Sequence, residues 1–201
     1  MLEIDNLQIE RDGKTLHYQL SVTAGEILAI QGRSGVGKST LLSALAGFVR
    51  PSCGEMRWQG QPFTTLTAEQ RPVSMLFQDH NLFEHLTAFD NMQLGFTAAV
   101  PIDQLAHAAA ELEVDALLQK KPPELSGGQR QRIAIIRTLL RPEPIVLLDE
   151  PFAELDQHTR KLAANWTRNH AKAAGKTVLL VTHQQEDVTQ IADRLLVLGE
   201  D

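Results

Sequence analysis

The sequence has 201 residues, 43% of them hydrophobic and 22% charged, with a formal net charge of −6. That length can bury one sizeable core, and an acidic balance with no basic stripe excludes an obvious nucleic-acid footprint, so no nucleic-acid partner is expected. A single cysteine, Cys53, excludes a disulfide framework or a cysteine-built zinc site and fits a reducing compartment. Met1-Leu2-Glu3-Ile4-Asp5 lacks the basic and apolar segments of a signal peptide. No apolar run approaches the roughly 20 residues that span a bilayer, so work at a membrane would require a partner.

In chain order, Asp12-Gly13 predicts a hairpin. Leu16, Tyr18, Leu20 and Val22 then alternate with His17, Gln19 and Ser21, the period of a strand, which turns Tyr18 inward. A short apolar strand over 26–31 runs into a loop over 32–38. Leu41, Leu42, Leu45 and Phe48 mark a helix over 39–48. Strands follow at 56–58 and 73–77. From about 82 to 121 the pattern is helical, with an Ala- and Leu-rich helix over 102–118 that Pro122-Pro123 ends. Ser126 starts another helix, with Ile133, Ile136, Leu139 and Leu140 as its apolar stripe and Arg130, Arg132, Arg137 and Arg141 as its polar side. Residues 145–148 are apolar on both faces, as in a central parallel strand. A helix over 155–174, a buried strand over 177–181, a short helix over 186–192 and a strand over 195–198 complete the chain. Alternating strands and helices predict an α/β fold with a mostly parallel sheet and an N-terminal antiparallel β-subdomain. The expected organisation is one domain over 1–201: a core from 1–84 and 143–201, with a helical subdomain inserted over 85–142.

Gly32-Arg33-Ser34-Gly35-Val36-Gly37-Lys38-Ser39 matches G-x-x-x-x-G-K-[ST] between a strand and a helix, the setting of a phosphate-binding loop. The glycines let backbone N–H groups turn onto phosphates, and the helix N-terminus adds its positive end. Lys38 is expected to reach the β- and γ-phosphates, Ser39 to ligate Mg²⁺, and Thr40 completes the nucleotide-binding run. Asp149 and Glu150 close a buried strand at its carboxyl end, where ligands bind in open α/β sheets. Asp149 is placed to hold Mg²⁺, and Glu150 to orient or deprotonate an attacking water. The two acids are expected on a strand beside the one that feeds the phosphate loop. His183 ends the next buried strand, on the same edge as Glu150, where it could contact a γ-phosphate. Gln78 follows the strand over 73–77, where alone it reads equally well as a turn residue. Leu125-Ser126-Gly127-Gly128-Gln129 is a second glycine-rich loop ahead of a helix, and a Ser at a helix N-cap beside two glycines makes an anion site. One nucleotide has no use for two such cradles, so this one points to the nucleotide of another copy.

The phosphate loop, Gln78, Leu125 to Gln129, Asp149-Glu150 and His183, in that order, resemble the ATP-binding subunits of ATP-binding-cassette transporters over essentially the whole chain. The resemblance implies an ATPase, with ATP and Mg²⁺ as ligands, in which two subunits pack head to tail around two ATPs. It further implies that Ser126, Gly127 and Gly128 contact the γ-phosphate held by the other subunit. Gln78 would help sense Mg²⁺ and the attacking water, and His183 would hold the γ-phosphate. Ala153-Glu154-Leu155-Asp156 would form the D-loop across the dimer interface. Implied partners are transmembrane permease subunits and, indirectly, a solute-binding protein, at the cytoplasmic face of a bacterial inner membrane. Arg71-Pro72-Val73-Ser74-Met75-Leu76-Phe77-Gln78, continued by Asn81-Leu82-Phe83 and His85-Leu86-Thr87, is similar to the ATPase subunits of bacterial thiamine importers, which implies import of thiamine or its phosphates.

Three features depart from that pattern. Where the family stacks adenine on an aromatic ring, this chain offers Arg11 and His17. Ala153-Glu154 replaces the common Ser-Ala. With the sequence ending at Asp201, the C-terminal regulatory domain of sugar-importer relatives is not expected. The alternatives are an importer ATPase for another small solute or a soluble mechanoenzyme with the same ATPase head acting on DNA or ribosomes. A coiled coil or tandem heads would mark the latter. A phosphate-loop kinase would leave Leu125 to Gln129 without a job.

Overall fold

A computed structural model describes residues 1–11, 13–79, 81–96 and 100–199. Strands β1 (Leu2–Arg11) and β2 (Lys14–Val22) pair antiparallel, and β3 (Ile27–Gly32) leads into α1 (Lys38–Ala46). Next come β4 (Cys53–Trp58), β5 (Gln61–Pro62), β6 (Val73–Leu76) and the helices α2 (Ala88–Gln93), α3 (Ile102–Glu111) and α4 (Gly127–Leu140). The chain returns through β7 (Ile145–Asp149), α5 (Gln157–Ala173), β8 (Thr177–Val181), α6 (Gln185–Ile191) and β9 (Arg194–Leu198). An antiparallel sheet has the order β2-β1-β4-β5, and a parallel sheet the order β6-β7-β8-β3-β9. The Asp12 half of the expected hairpin signal lies outside the described residues.

The parallel sheet is covered on both faces, which is why β7 and β8 consist entirely of buried residues. Their side chains divide by the strand period of two. Val146, Leu148, Val178 and Leu180 face a core built with α4 and α5. Ile145, Leu147, Leu179 and Val181 face a second core built with α1 and the antiparallel sheet.

Several local expectations change. Strands β3 and β7 are not neighbours, because β8 pairs with both; all three still end on one edge. Helix α1 stops at Ala46, since Gly47 at φ 92° donates its N–H back to Ser43 and Ala44 carbonyls. Phe48 is therefore turned outward, 59% exposed, with its ring 5.4 Å from that of Phe77. The helix expected over 102–118 breaks after Glu111: Glu113 adopts φ 54° and Val114 N–H closes onto Ala109 O at 2.8 Å. A separate 3₁₀ turn follows at Asp115–Leu117. Arg132 and Arg137 do not lie on an exposed polar face. Arg132 is buried and donates to Leu112 O at 2.6 Å. Arg137 donates to Asn81 O, and burial, helped by the charge of Arg141, pulls its pKa down to about 10.

Arg71, just ahead of β6, ties the C-terminus of α1 to the segment before β6. It is 5% exposed and donates to Leu45 O (2.9 Å), Leu66 O (3.0 Å), Thr64 O (2.8 Å) and Ala44 O. It thereby gives Leu45 O, in the last turn of α1, a donor and adds a second one to Ala44 O, which also accepts from Gly47 N–H. Arg71→Met keeps most of the volume and removes the donor to Leu45 O, Leu66 O and Thr64 O, so the urea midpoint should fall by the equivalent of about 3 kcal/mol. An unchanged midpoint would show that water replaces the guanidinium without cost.

Candidate active site

The loop between β3 and α1 is shaped by its neighbours. Gly37 caps α1 at φ 106°, and a β-carbon there would strike the Tyr18 hydroxyl. Tyr18, inward-facing as its alternation predicts, donates to Gly37 O at 2.9 Å, and burial pushes its pKa up to about 12. Lys38 curls back so that its ammonium donates to Gly32 O (2.9 Å) and Arg33 O (3.0 Å). Val36 N–H donates to Arg33 O at 3.3 Å and closes the turn. The loop is thus set by its own contacts, with a nearly buried cation at its centre.

That cation opens onto a cleft of about 670 Å³. Ser34, Gly35, Gly37, Lys38, Ser39 and Thr40 form one wall. Asp149 and Glu150, at the end of β7, and His183, beyond β8, form another, with Gln78 after β6 beside them. The hairpin contributes Arg11, Lys14 and Leu16. Arg11 also donates to Thr40 Oγ1 at 3.1 Å, whereas His17 does not line the cleft. Residues that are far apart in sequence meet because parallel strands deliver their carboxyl ends to one edge.

The two acids differ in setting. Asp149 is buried, and burial raises its pKa; the Ser39 hydroxyl, Lys38 and His183 oppose that rise. Its Oδ1 is buried with no hydrogen-bond partner. A buried carboxylate oxygen left open beside a serine hydroxyl is a donor set suited to a hard divalent cation. Among the described residues no group of three or more His, Cys, Asp or Glu could cage a metal alone, so phosphate and water oxygens would have to complete the shell. Glu150 is also raised by burial and by Asp149, and lowered by the charge and backbone N–H of His183. His183 Nε2 lies 3.2 Å from Glu150 Oε1. Glu150 has φ 50°, in a region that β-carbon sterics make unfavourable.

Residues 125–129 do not line this cleft. Leu125 is buried, and Ser126 N-caps α4 in a reciprocal box: its Oγ accepts from Gln129 N–H (3.3 Å) while Gln129 Oε1 accepts from Ser126 N–H (2.9 Å). Gly127 and Gly128 open the helix, where amides lack intrahelical acceptors. A β-carbon on Gly127 would meet the Glu154 carboxylate. Gly127 borders a separate hollow of about 460 Å³ with Gln78 and Glu154, so Gln78 faces both spaces. Asp156 caps α5, accepting from His158 N–H (3.0 Å) and Thr159 N–H (3.1 Å).

The family described as ABC transporter matches residues 16–153. The chain belongs to the ABC transporter family. Curated relatives include the thiamine import ATP-binding protein ThiQ of Histophilus somni, 45% identical over 187 residues, spanning 90% of this chain and 87% of that protein. ThiQ of Escherichia coli K12 is 42% identical over 190 residues, spanning 92% and 82%. Among solved structures, a dimeric ATP-binding cassette in a post-hydrolysis state bound to ADP and Pi superposes with a TM-score of 0.87 at 27% identity, covering 98% of this chain and 94% of that one. These matches agree with the α/β fold expected of an ABC transporter ATPase.

Three features of this ABC transporter chain escaped the motifs. The tie from Tyr18 to the phosphate loop depends on where β2 lies over α1, which alternation alone does not say. Arg160 and Asp187 carry no motif, yet both reach the turns that bear the acids and His183.

Proposed function

We propose that this chain is the ATP-hydrolysing, energy-coupling subunit of a bacterial importer of thiamine or its phosphates. The observation that carries the ATPase reading is the single cleft that unites Lys38, Ser39, Asp149, Glu150 and His183. The thiamine reading rests on relatives above 40% identity named for thiamine import.

In this reading Gly32, Arg33, Ser34, Gly35, Val36, Gly37, Lys38, Ser39 and Thr40 hold the nucleotide. Ser39, Asp149 and Gln78 hold Mg²⁺. The metal would supply charge neutralisation across the phosphate oxygens. Glu150 accepts the proton of the attacking water, an assignment supported by a carboxylate raised by burial toward working pH. His183 fixes Glu150 and faces the terminal phosphate. Leu125 to Gln129 serve the nucleotide of a second copy, which the position of that loop outside its own cleft supports. Asp156 orders the D-loop through its cap on α5. Residues 85–142 act as a helical subdomain that relays closure. No described helix is long and apolar enough to cross a membrane. Attachment to the cytoplasmic face of the inner membrane would therefore run through permease subunits, with a solute-binding protein delivering cargo to them.

The test is ATP hydrolysis by the chain copurified with its permease. Thiamine presented with its binding protein should raise the rate severalfold. Absence of stimulation by thiamine and its phosphates would remove the substrate reading and leave the ATPase reading standing.

A further inference from the structure

His183 leaves β8 on a turn whose two flanking residues share one anchor. The Thr182 hydroxyl accepts from Gln184 N–H at 3.1 Å and donates to Asp187 Oδ2 at 2.6 Å. One hydroxyl therefore spans the residue before His183 and the residue after it, and Asp187 fixes the direction of that hydroxyl. Asp187 itself is 2% exposed and does not line the cleft, so it touches no bound nucleotide. Its Oδ1 is buried without a hydrogen-bond partner.

A half-satisfied carboxylate is a costly thing to bury. Hydrophobic packing of α6 through Val188 and Ile191 would be served as well by an apolar side chain at 187. The surroundings give the carboxylate a second connection. Arg160 on α5 donates from Nε (3.2 Å) and Nη2 (3.0 Å) to Phe152 O, two residues beyond Glu150. The positive charge of Arg160 acts on Asp187, partly offsetting the burial that raises its pKa, while Glu186 opposes it. Arg160 thus braces the turn carrying Glu150 through Phe152 O, and Asp187 braces the turn carrying His183 through the Thr182 hydroxyl. In front, the two turns meet at the 3.2 Å contact of His183 Nε2 with Glu150 Oε1.

We propose that Asp187 is a positioning residue for hydrolysis, setting His183 against Glu150 through the Thr182 hydroxyl. The inference rests on the ATPase reading of the cleft. A displacement of about 1 Å in a reacting group can cost on the order of 100-fold in rate, so a small rotation of this turn suffices to matter. Loss of the anchor should slow turnover without weakening nucleotide binding, because the phosphate loop takes no part in it.

The experiment is steady-state hydrolysis of Mg-ATP by the full chain, with equilibrium nucleotide binding measured alongside. Asp187→Ala should lower kcat about 10- to 100-fold with the ATP Kd within twofold of the native value. Asp187→Asn keeps an acceptor for the Thr182 hydroxyl and should recover part of the rate. Thr182→Val removes the relay from the other side and should reproduce the Asp187→Ala loss, which guards against a folding defect at 187 alone. In a His183→Ala background, adding Asp187→Ala should change kcat no further, because residues acting as a unit are not additive. A native kcat for Asp187→Ala beside a crippled His183→Ala overturns the inference and leaves the ATPase reading. Additive losses, or a Kd that rises with the fall in kcat, also overturn it. A native rate in His183→Ala itself overturns the role of His183, and the inference with it.

Discussion

Lys38→Ala is expected to weaken ATP binding roughly 100-fold, about 2.8 kcal/mol. The side chain is the one cation at the centre of the loop, 6% exposed and opening on the cleft. Its present hydrogen bonds to Gly32 O and Arg33 O (2.9 and 3.0 Å) orient it there. A bound β- or γ-phosphate would exchange neutral carbonyl acceptors for charged oxygens, and charge-assisted bonds are roughly twice as strong. Alanine forfeits that gain and also unties the two carbonyls, so the loop loses its internal brace. Isothermal titration with ATP separates the two effects when paired with thermal melting of the unliganded protein. A fall in affinity at nearly unchanged melting temperature marks the loss of the phosphate contact. An unaltered affinity would sink the assignment of this loop to nucleotide.

Glu150→Gln should reduce hydrolysis by about 1000-fold and leave an ATP-bound dimer that persists through size-exclusion chromatography. The amide keeps the size of the carboxylate and can still meet His183 across 3.2 Å, so the wall of the cleft stays in place. What it removes is the carboxylate proposed as the proton acceptor. The pH dependence provides a second readout. Burial raises the Glu150 pKa above its ordinary value, against the lowering effect of His183 and Lys38. The native rate should therefore fall as pH drops toward that raised value, because protonation removes the base. The residual rate of Glu150→Gln should lack this acid limb. Hydrolysis at the native rate would show that another group takes the proton.

The motifs made the cleft legible because each carries its own local geometry. A glycine-rich loop between strand and helix, two acids at the end of an apolar strand and a histidine at the end of another define one edge once the strands are parallel. Strand order was less legible: β7 and β3 are separated by β8, and nothing in either strand's apolar run encodes its neighbour. The arginines of α4 were misplaced for a related reason. Periodicity counts Arg132 and Arg137 as polar, yet carbonyls from distant segments, Leu112 O and Asn81 O, receive them inside the protein. The helix break at Glu113 was hidden because Glu favours helices, and the left-handed φ of 54° is imposed by the turn rather than by residue type. Of the two side chains offered near adenine, Arg11 lines the cleft and donates to Thr40, whereas His17 does not line it.

The left-handed backbone at Glu150 sets selection for durability against selection for chemistry. A glycine would occupy φ 50° without the steric penalty that a β-carbon incurs there. A protocol that ranked substitutions by thermal endurance alone would be drawn to this position, and would gain stability by deleting the carboxylate proposed as the base. Under mutation and drift, if Glu150 is the base, position 150 is a place where the most comfortable residue for the chain is the one that silences it.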